Sequence, residues 1–224
     1  MSLIRNTLLV LTLAFASLSF AGVSLEWKEV GNGGKILLCD STVQALDVYE
    51  AQVVYYLHPH PQSLTQVDNF SKLSIHDNFD LSLKTANKFL LRLKKRDADL
   101  WEKYSELLQR FRQESFFLTD RELAPTPDED ITQIPATCEL RQLIVQRNPI
   151  YNGTRYVIDR KLWLRLPSEQ QAAMIIHEIV YSEALERRKD LMSSRAVRRM
   201  TGLILSQELA TLPQSMYEIV KKDL

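Results

Sequence analysis

The sequence is poor in the features that mark most functional classes. It holds two cysteines and four histidines, and its 28 basic residues are matched by 28 acidic ones. An even charge gives no field to steer nucleic acid or an anionic membrane, so nucleic-acid binding is not expected. Cys39 and Cys138 lack the CxxC spacing of a metal site, and Gly31-Asn32-Gly33-Gly34 lacks the continuation of a phosphate loop. No internal repeat or low-complexity tract is present. Beyond residue 21 no run is apolar enough to span a bilayer.

What is present begins at the N-terminus. Arg5 is the only charge before Glu26, and it precedes an apolar stretch over 8–20 broken by Thr12, Ser17 and Ser19. Small residues Ser19 and Ala21 then precede Gly22. This order is that of a cleavable secretory signal over residues 1–21. The apolar run is shorter than the roughly 20 residues a membrane span requires. The expected product, 22–224, is exported, periplasmic or secreted, soluble, and without a transmembrane segment. Its length buries a sizeable core as a single domain. In an oxidising compartment an isolated cysteine pair is expected to bond, which here joins Cys39 to Cys138.

The patterning predicts an α+β domain, richer in helix than strand, with two short antiparallel hairpins and a buried central helix. Residues 23–27 and 35–39 read as strands about the glycine cluster. Residues 42–57 read as an amphipathic helix stopped by His58-Pro59-His60-Pro61, and 62–80 as a loop. A helical pattern runs over 81–117 with a break near Asp97; its charged side, including Arg92 and Arg96, reads as a solvated face. Residues 124–136, with three prolines and three consecutive acids, form the candidate internal boundary. Strands are expected over 139–146 and 155–159, and helices over 168–188, 194–209 and 214–222. Ser168 and Ser194 are the expected caps. Asn69-Phe70-Ser71 and Asn152-Gly153-Thr154 fit the glycan-acceptor pattern, and His58 with His60 share a side of an extended chain; all read as ordinary loops.

From Ala172 to Val180 every residue is apolar except His177 and Glu178. A helix apolar all round is buried, and a carboxylate inside it needs a partner or a wet cleft. Arg195 or Arg198 could supply that partner, giving a polar cluster of His177, Glu178, Tyr181, Arg195 and Arg198.

Tyr156–Asp159, the Leu162–Leu166 stretch, Pro167-Ser168-Glu169-Gln170-Gln171 and the apolar run to His177-Glu178 resemble the active-site region of zincin metallopeptidases. In that family an edge strand precedes a helix carrying HExxH, whose histidines bind zinc while the glutamate activates water. The resemblance implies His177 as a metal ligand, Glu178 as general base, and zinc as the cofactor. Tyr181 departs from the pattern, standing where the second histidine belongs; it would be a weak ligand or an oxyanion stabiliser. Glu183, Glu186 and Glu208 are further available carboxylates. Over nearly the whole mature chain, the Asn32-Gly33-Gly34 turn leading to Cys39, Cys138-Glu139-Leu140, His177-Glu178 with Tyr181, Arg195, Arg198 and Leu203-Ile204-Leu205-Ser206 resemble an exported family of predatory Gram-negative bacteria. That likeness implies export and a shared fold, with no activity attached. The leading expectation is a non-catalytic envelope or secreted factor that binds a protein or peptide, without cofactor; the alternative is an atypical zinc-dependent peptidase.

Overall fold

The structure, a computed structural model, describes residues 34–40, 42–60, 65–66, 74–128, 130–131, 133–150 (the backbone alone at 148–150), 153–188 and 193–224. The expected signal at 1–21, the strand at 23–27, the turn residues 31–33, Asn69 and Asn152 lie outside them. In chain order the elements are β1 (Lys35–Cys39), β2 (Thr42–Ala45), α1 (Leu46–Val53), β3 (Thr65–Gln66), α2 (Ile75–Leu93), α3 (Ala98–Phe111) and β4 (Ser115–Leu118). Then follow β5 (Cys138–Gln142), β6 (Ile144–Ile150), β7 (Thr154–Asp159), α4 (Arg160–Trp163), α5 (Ser168–Arg187), α6 (Arg195–Leu205) and α7 (Gln214–Asp223). This is an α+β fold. One antiparallel sheet has the order β3-β2-β1-β5, and a mixed sheet has the order β4-β7-β6, with β4 parallel to β7. Helix α5 runs through the middle, against α1, α2, α3, α6 and β2. Every residue from 170 to 184 in it is buried.

The departures from the sequence pattern have local causes. Residues 42–45, expected in a helix, are strand β2, because Thr42 and Val43 continue the ladder beyond a turn at Asp40 and pair with Cys39 and Leu38. The helix proper occupies only 46–53. The single strand expected over 139–146 is two strands in different sheets. They part at Leu143, where the Leu143 and Ile144 N–H groups both donate to the Gly34 carbonyl, at 3.0 and 3.1 Å. The loop expected over 62–80 gives way at Ser74, whose hydroxyl accepts from Asp77 N–H and caps α2. The expected break at Asp97 is present: its carboxylate accepts from Leu100 N–H at 3.0 Å and starts α3. Residues 115–118 leave the helical pattern to form β4 beside β7. Helix α5 is preceded by Pro167 as cap, with Ser168 inside the helix. The tight turn before β7 passes through Gly153 at φ +72°, the left-handed region glycine enters cheaply.

Arg92 and Arg96 are not on a solvated face. Arg92 reaches the carbonyls of Ile204, at 3.2 Å, and Ser206, and Arg96 reaches that of Leu212. The Ile204 and Ser206 carbonyls lie at the C-terminal end of α6, where a cation is favoured, and the Leu212 carbonyl lies in the connection that leads to α7. The Cys39–Cys138 disulfide is formed between residues directly opposite each other on β1 and β5, at a sequence separation of 99.

Helices α1 and α6 touch through small residues. A Cβ placed on Gly202 would meet the Ala51 Cβ at 2.8 Å and the Asp47 carbonyl oxygen at 3.6 Å. Alanine is better than glycine in a helix by about 1 kcal/mol. Overpacking costs about 1–3 kcal/mol. Gly202→Ala is therefore expected to be destabilising on balance, with urea unfolding as the measure; a variant more stable than wild type would show that α1 can yield.

Candidate functional site

The buried polar groups gather where α1 meets α5 and α6. Asp47 and Glu50 lie three apart on α1, on one inward face, at 0% and 1% exposure. Asp47 turns toward α5, where its Oδ1 is 2.7 Å from His177 Nδ1. Glu50 turns toward α6, where its Oε2 accepts from Arg198 Nε at 2.7 Å. The close approach at Ala51 and Gly202 brings α1 near enough to α6 for the Glu50–Arg198 contact. His177 and Tyr181, one turn apart on α5, place their rings parallel with centroids 6.2 Å apart.

Glu178 does not meet an arginine. Its Oε1 accepts from the Gly34 N–H at 2.6 Å, just ahead of β1. A Cβ on Gly34 would come within 3.3 Å of that oxygen and 3.1 Å of Met174 Sδ, so the missing side chain lets the strand backbone reach the helix. Burial pushes the Glu178 carboxyl above its ordinary range, against the pull of His177 and the Gly34 N–H. At His177 burial disfavours the imidazolium, but the Asp47 carboxylate outweighs it and the pKa stands raised.

Arg198 is the centre of a second set of contacts. Besides Glu50, it donates from Nη1 to Asp128 Oδ2 at 2.6 Å and from Nη2 to the Asp130 carbonyl at 2.9 Å. Asp128 also accepts from Ser194 N–H at 3.0 Å and Ser194 Oγ at 2.7 Å, and stands 3.7 Å from Lys35 Nζ. Lys35 donates to Thr126 Oγ1 at 3.2 Å, and Thr126 donates to Gln142 Oε1 at 2.9 Å. Burial disfavours the Arg198 cation, yet Glu50 and Asp128 outweigh it and its pKa is raised; at Lys35 burial wins and the ammonium is held below its ordinary value. The segment expected to be a linker thus sends Thr126 and Asp128 into the interior.

Of the cluster expected from the sequence, His177 and Tyr181 are brought together, Glu178 faces β1, and Arg198 faces Glu50 and Asp128. Arg195 is exposed, its backbone carbonyl accepting from Tyr55 Oη at 3.5 Å. The spare carboxylates are engaged elsewhere. Glu183 accepts from Tyr104 Oη and Arg187 at 2.5 Å each, Glu186 pairs with Lys103 at 2.9 Å, and Glu208 takes the His58 N–H and ring. Burial raises the Glu208 carboxyl, but the His58 N–H and ring, together with its own backbone N–H and Ser206, outweigh it and hold the group down to about 2. His60 lies against Phe89, with ring centroids 6.2 Å apart.

The sequence reading missed Lys35, Asp47, Glu50 and Asp128. The signal for two of them was available: Asp47 and Glu50 fall on the apolar side of α1, where a carboxylate needs a partner. Zinc does not fit the donor set. A catalytic zinc takes three protein ligands, and among the described residues no group of three or more His, Cys, Asp or Glu side chains is placed to hold a metal. No described helix is long and apolar enough to cross a membrane, and the disulfide is consistent with an oxidising location outside the cytoplasm. Compared with family models, curated proteins and solved structures, the chain matches none of them.

Proposed function

We propose that this chain is an exported, non-catalytic factor that binds a protein or peptide, related to the exported family of predatory Gram-negative bacteria that its sequence resembles. Its His177-Glu178 helix serves as a structural post. The observation that carries this reading is the burial of Glu178: its Oε1 accepts from the Gly34 N–H at 2.6 Å, and the residue sits within a helix stretch buried from 170 to 184. A general base needs an oxygen that water and substrate can reach. Two features favour the peptidase alternative, the first being that Glu178 Oε2 is buried without a hydrogen-bond partner. His177 has Nδ1 fixed by Asp47 while its buried Nε2 has no hydrogen-bond partner, the orientation second-shell carboxylates impose on zinc-binding histidines.

Glu178→Gln separates the two. Glutamine keeps the oxygen that accepts from Gly34 and cannot ionise. In wild type the folded Glu178 holds its proton above the ordinary 4.5, so the unfolded state releases protons first and stability falls as pH rises from there through the folded pKa. His177 acts in the same direction: its contribution is full below about 6.5 and is lost as pH rises through its raised pKa. Glu178→Gln should therefore be at least as stable as wild type at pH 7 and show a shallower decline with pH. Glu178→Ala, which leaves the Gly34 N–H without an acceptor, should lose about 1–3 kcal/mol. Metal analysis of protein purified without chelator completes the test. About one zinc per chain, lost in His177→Ala, together with peptide hydrolysis abolished by Glu178→Gln, would overturn the non-catalytic reading.

A further inference from the structure

Asp128 is held by the rest of the chain as a bound ligand would be. Its carboxylate is surrounded by Ser194 N–H and Oγ at the start of α6, Arg198 Nη1 one turn further on, and Lys35 Nζ on β1. The side chains of Lys35, Arg198 and Asp128 are 4%, 1% and 1% exposed. Of the ion pairs within 4 Å, Arg198 has Glu50 and Asp128 and Lys35 has Asp128, while Glu178 and Asp47 act on the two cations from further off. Without Asp128, Lys35 would lose its close carboxylate and Arg198 one of two, beside the N-terminal end of a helix that also favours an anion. The carboxylate arrives on residues 119–137, which contain no helix or strand among their described positions. Connections beyond about 12–15 residues without regular structure are uncommon and are often lids or binding loops. Asp130, whose carbonyl completes the contact with Arg198, sits at φ +61°, a left-handed turn conformation that Asp enters more readily than most residues with a Cβ.

Building on the binding-factor reading, we propose that Lys35, Ser194 and Arg198 form a receptor for the side-chain carboxylate of an acidic, extended protein segment, and that Asp128 is its resident competitor. The strap around Asp128 leaves when such a segment enters. The strap also shows what is recognised: Pro125-Thr126-Pro127-Asp128 delivers the acid from a stiff approach, with the Thr126 hydroxyl accepting from Lys35.

The test titrates the acetylated, amidated hexapeptide Pro-Thr-Pro-Asp-Glu-Asp into the whole mature chain, as wild type and as Asp128→Ala, by calorimetry. Acetate is the second arm. With the resident carboxylate removed, the variant should bind the hexapeptide saturably and about tenfold or more tighter than wild type, since a site closed most of the time weakens apparent affinity in proportion. Adding Arg198→Met to that variant should abolish the binding. A folded Asp128→Ala protein that binds no tighter than wild type would overturn the proposal. If acetate raises the thermal midpoint of the variant as much as the peptide does, the ligand is a small carboxylate and the protein-segment assignment is wrong. Should Asp128→Ala fail to fold, Asp128→Asn, which keeps the side-chain shape, takes its place. If both fail, Asp128 is inseparable from the core and no strap exists. Cleavage of the hexapeptide by wild type would end the non-catalytic reading while leaving the receptor intact, so the two ideas fail separately.

Discussion

Replacing Arg198 with methionine is expected to lower the unfolding free energy by about 3–5 kcal/mol, the effect of breaking a buried ion pair from one side. Methionine fills much of the space but leaves Glu50 and Asp128 facing no guanidinium, at 1% exposure each. The Asp130 carbonyl would lose its donor as well. Removing all three charges together, as Arg198→Met with Glu50→Gln and Asp128→Asn, should recover a good part of the loss, because the uncompensated carboxylates are then gone. Urea unfolding of the single, double and triple variants gives the coupling directly. A loss below about 1 kcal/mol for Arg198→Met would mean that the network is wet, and the value would then match a surface pair.

Removing the disulfide should produce a loss of similar size. In the chain-entropy account, a cross-link closing a loop of about 100 residues contributes about 4–5 kcal/mol by restricting the unfolded chain. The separation between Cys39 and Cys138 is 99. Their strands stay paired through β1 and β5 backbone hydrogen bonds, so the native sheet should persist in Cys39→Ser/Cys138→Ser. The loss should then be read in the denaturant midpoint rather than in the circular dichroism of the folded state. Wild type in dithiothreitol should match the double variant. Equal midpoints with and without reductant would show that the denatured chain is already constrained between these positions.

These two effects differ in how far the sequence foretold them. The disulfide followed from two lone cysteines and an expected export signal. Arg198 was singled out as a candidate partner for a buried acid, but for Glu178, and the structure gives it Glu50 and Asp128 instead. The place of Glu50 on the apolar side of α1 marks it as needing a partner, but nothing local names that partner: Glu50 and Asp128 lie 148 and 70 residues from Arg198 in sequence. Glu178 finds its partner 144 residues away, and that partner is a backbone N–H, which no side-chain pattern announces. Arg92 and Arg96 were misread for the same reason. Arg92 on α2 and Arg96 just beyond it read as polar until the end of α6 and the connection after it are laid against them.

The sequence by itself determined the α+β class, the burial of the central helix, the break at Asp97 and the cysteine pair. Each rests on local spacing or on composition, and these survive whatever the chain folds against. Tertiary structure decided which strand residues 42–45 would join, where 139–146 would divide between two sheets, and which buried charge would meet which. The last of these depends on close approaches at Gly34 and Gly202, where the missing side chain lets a backbone or a helix come near enough for the polar groups to pair.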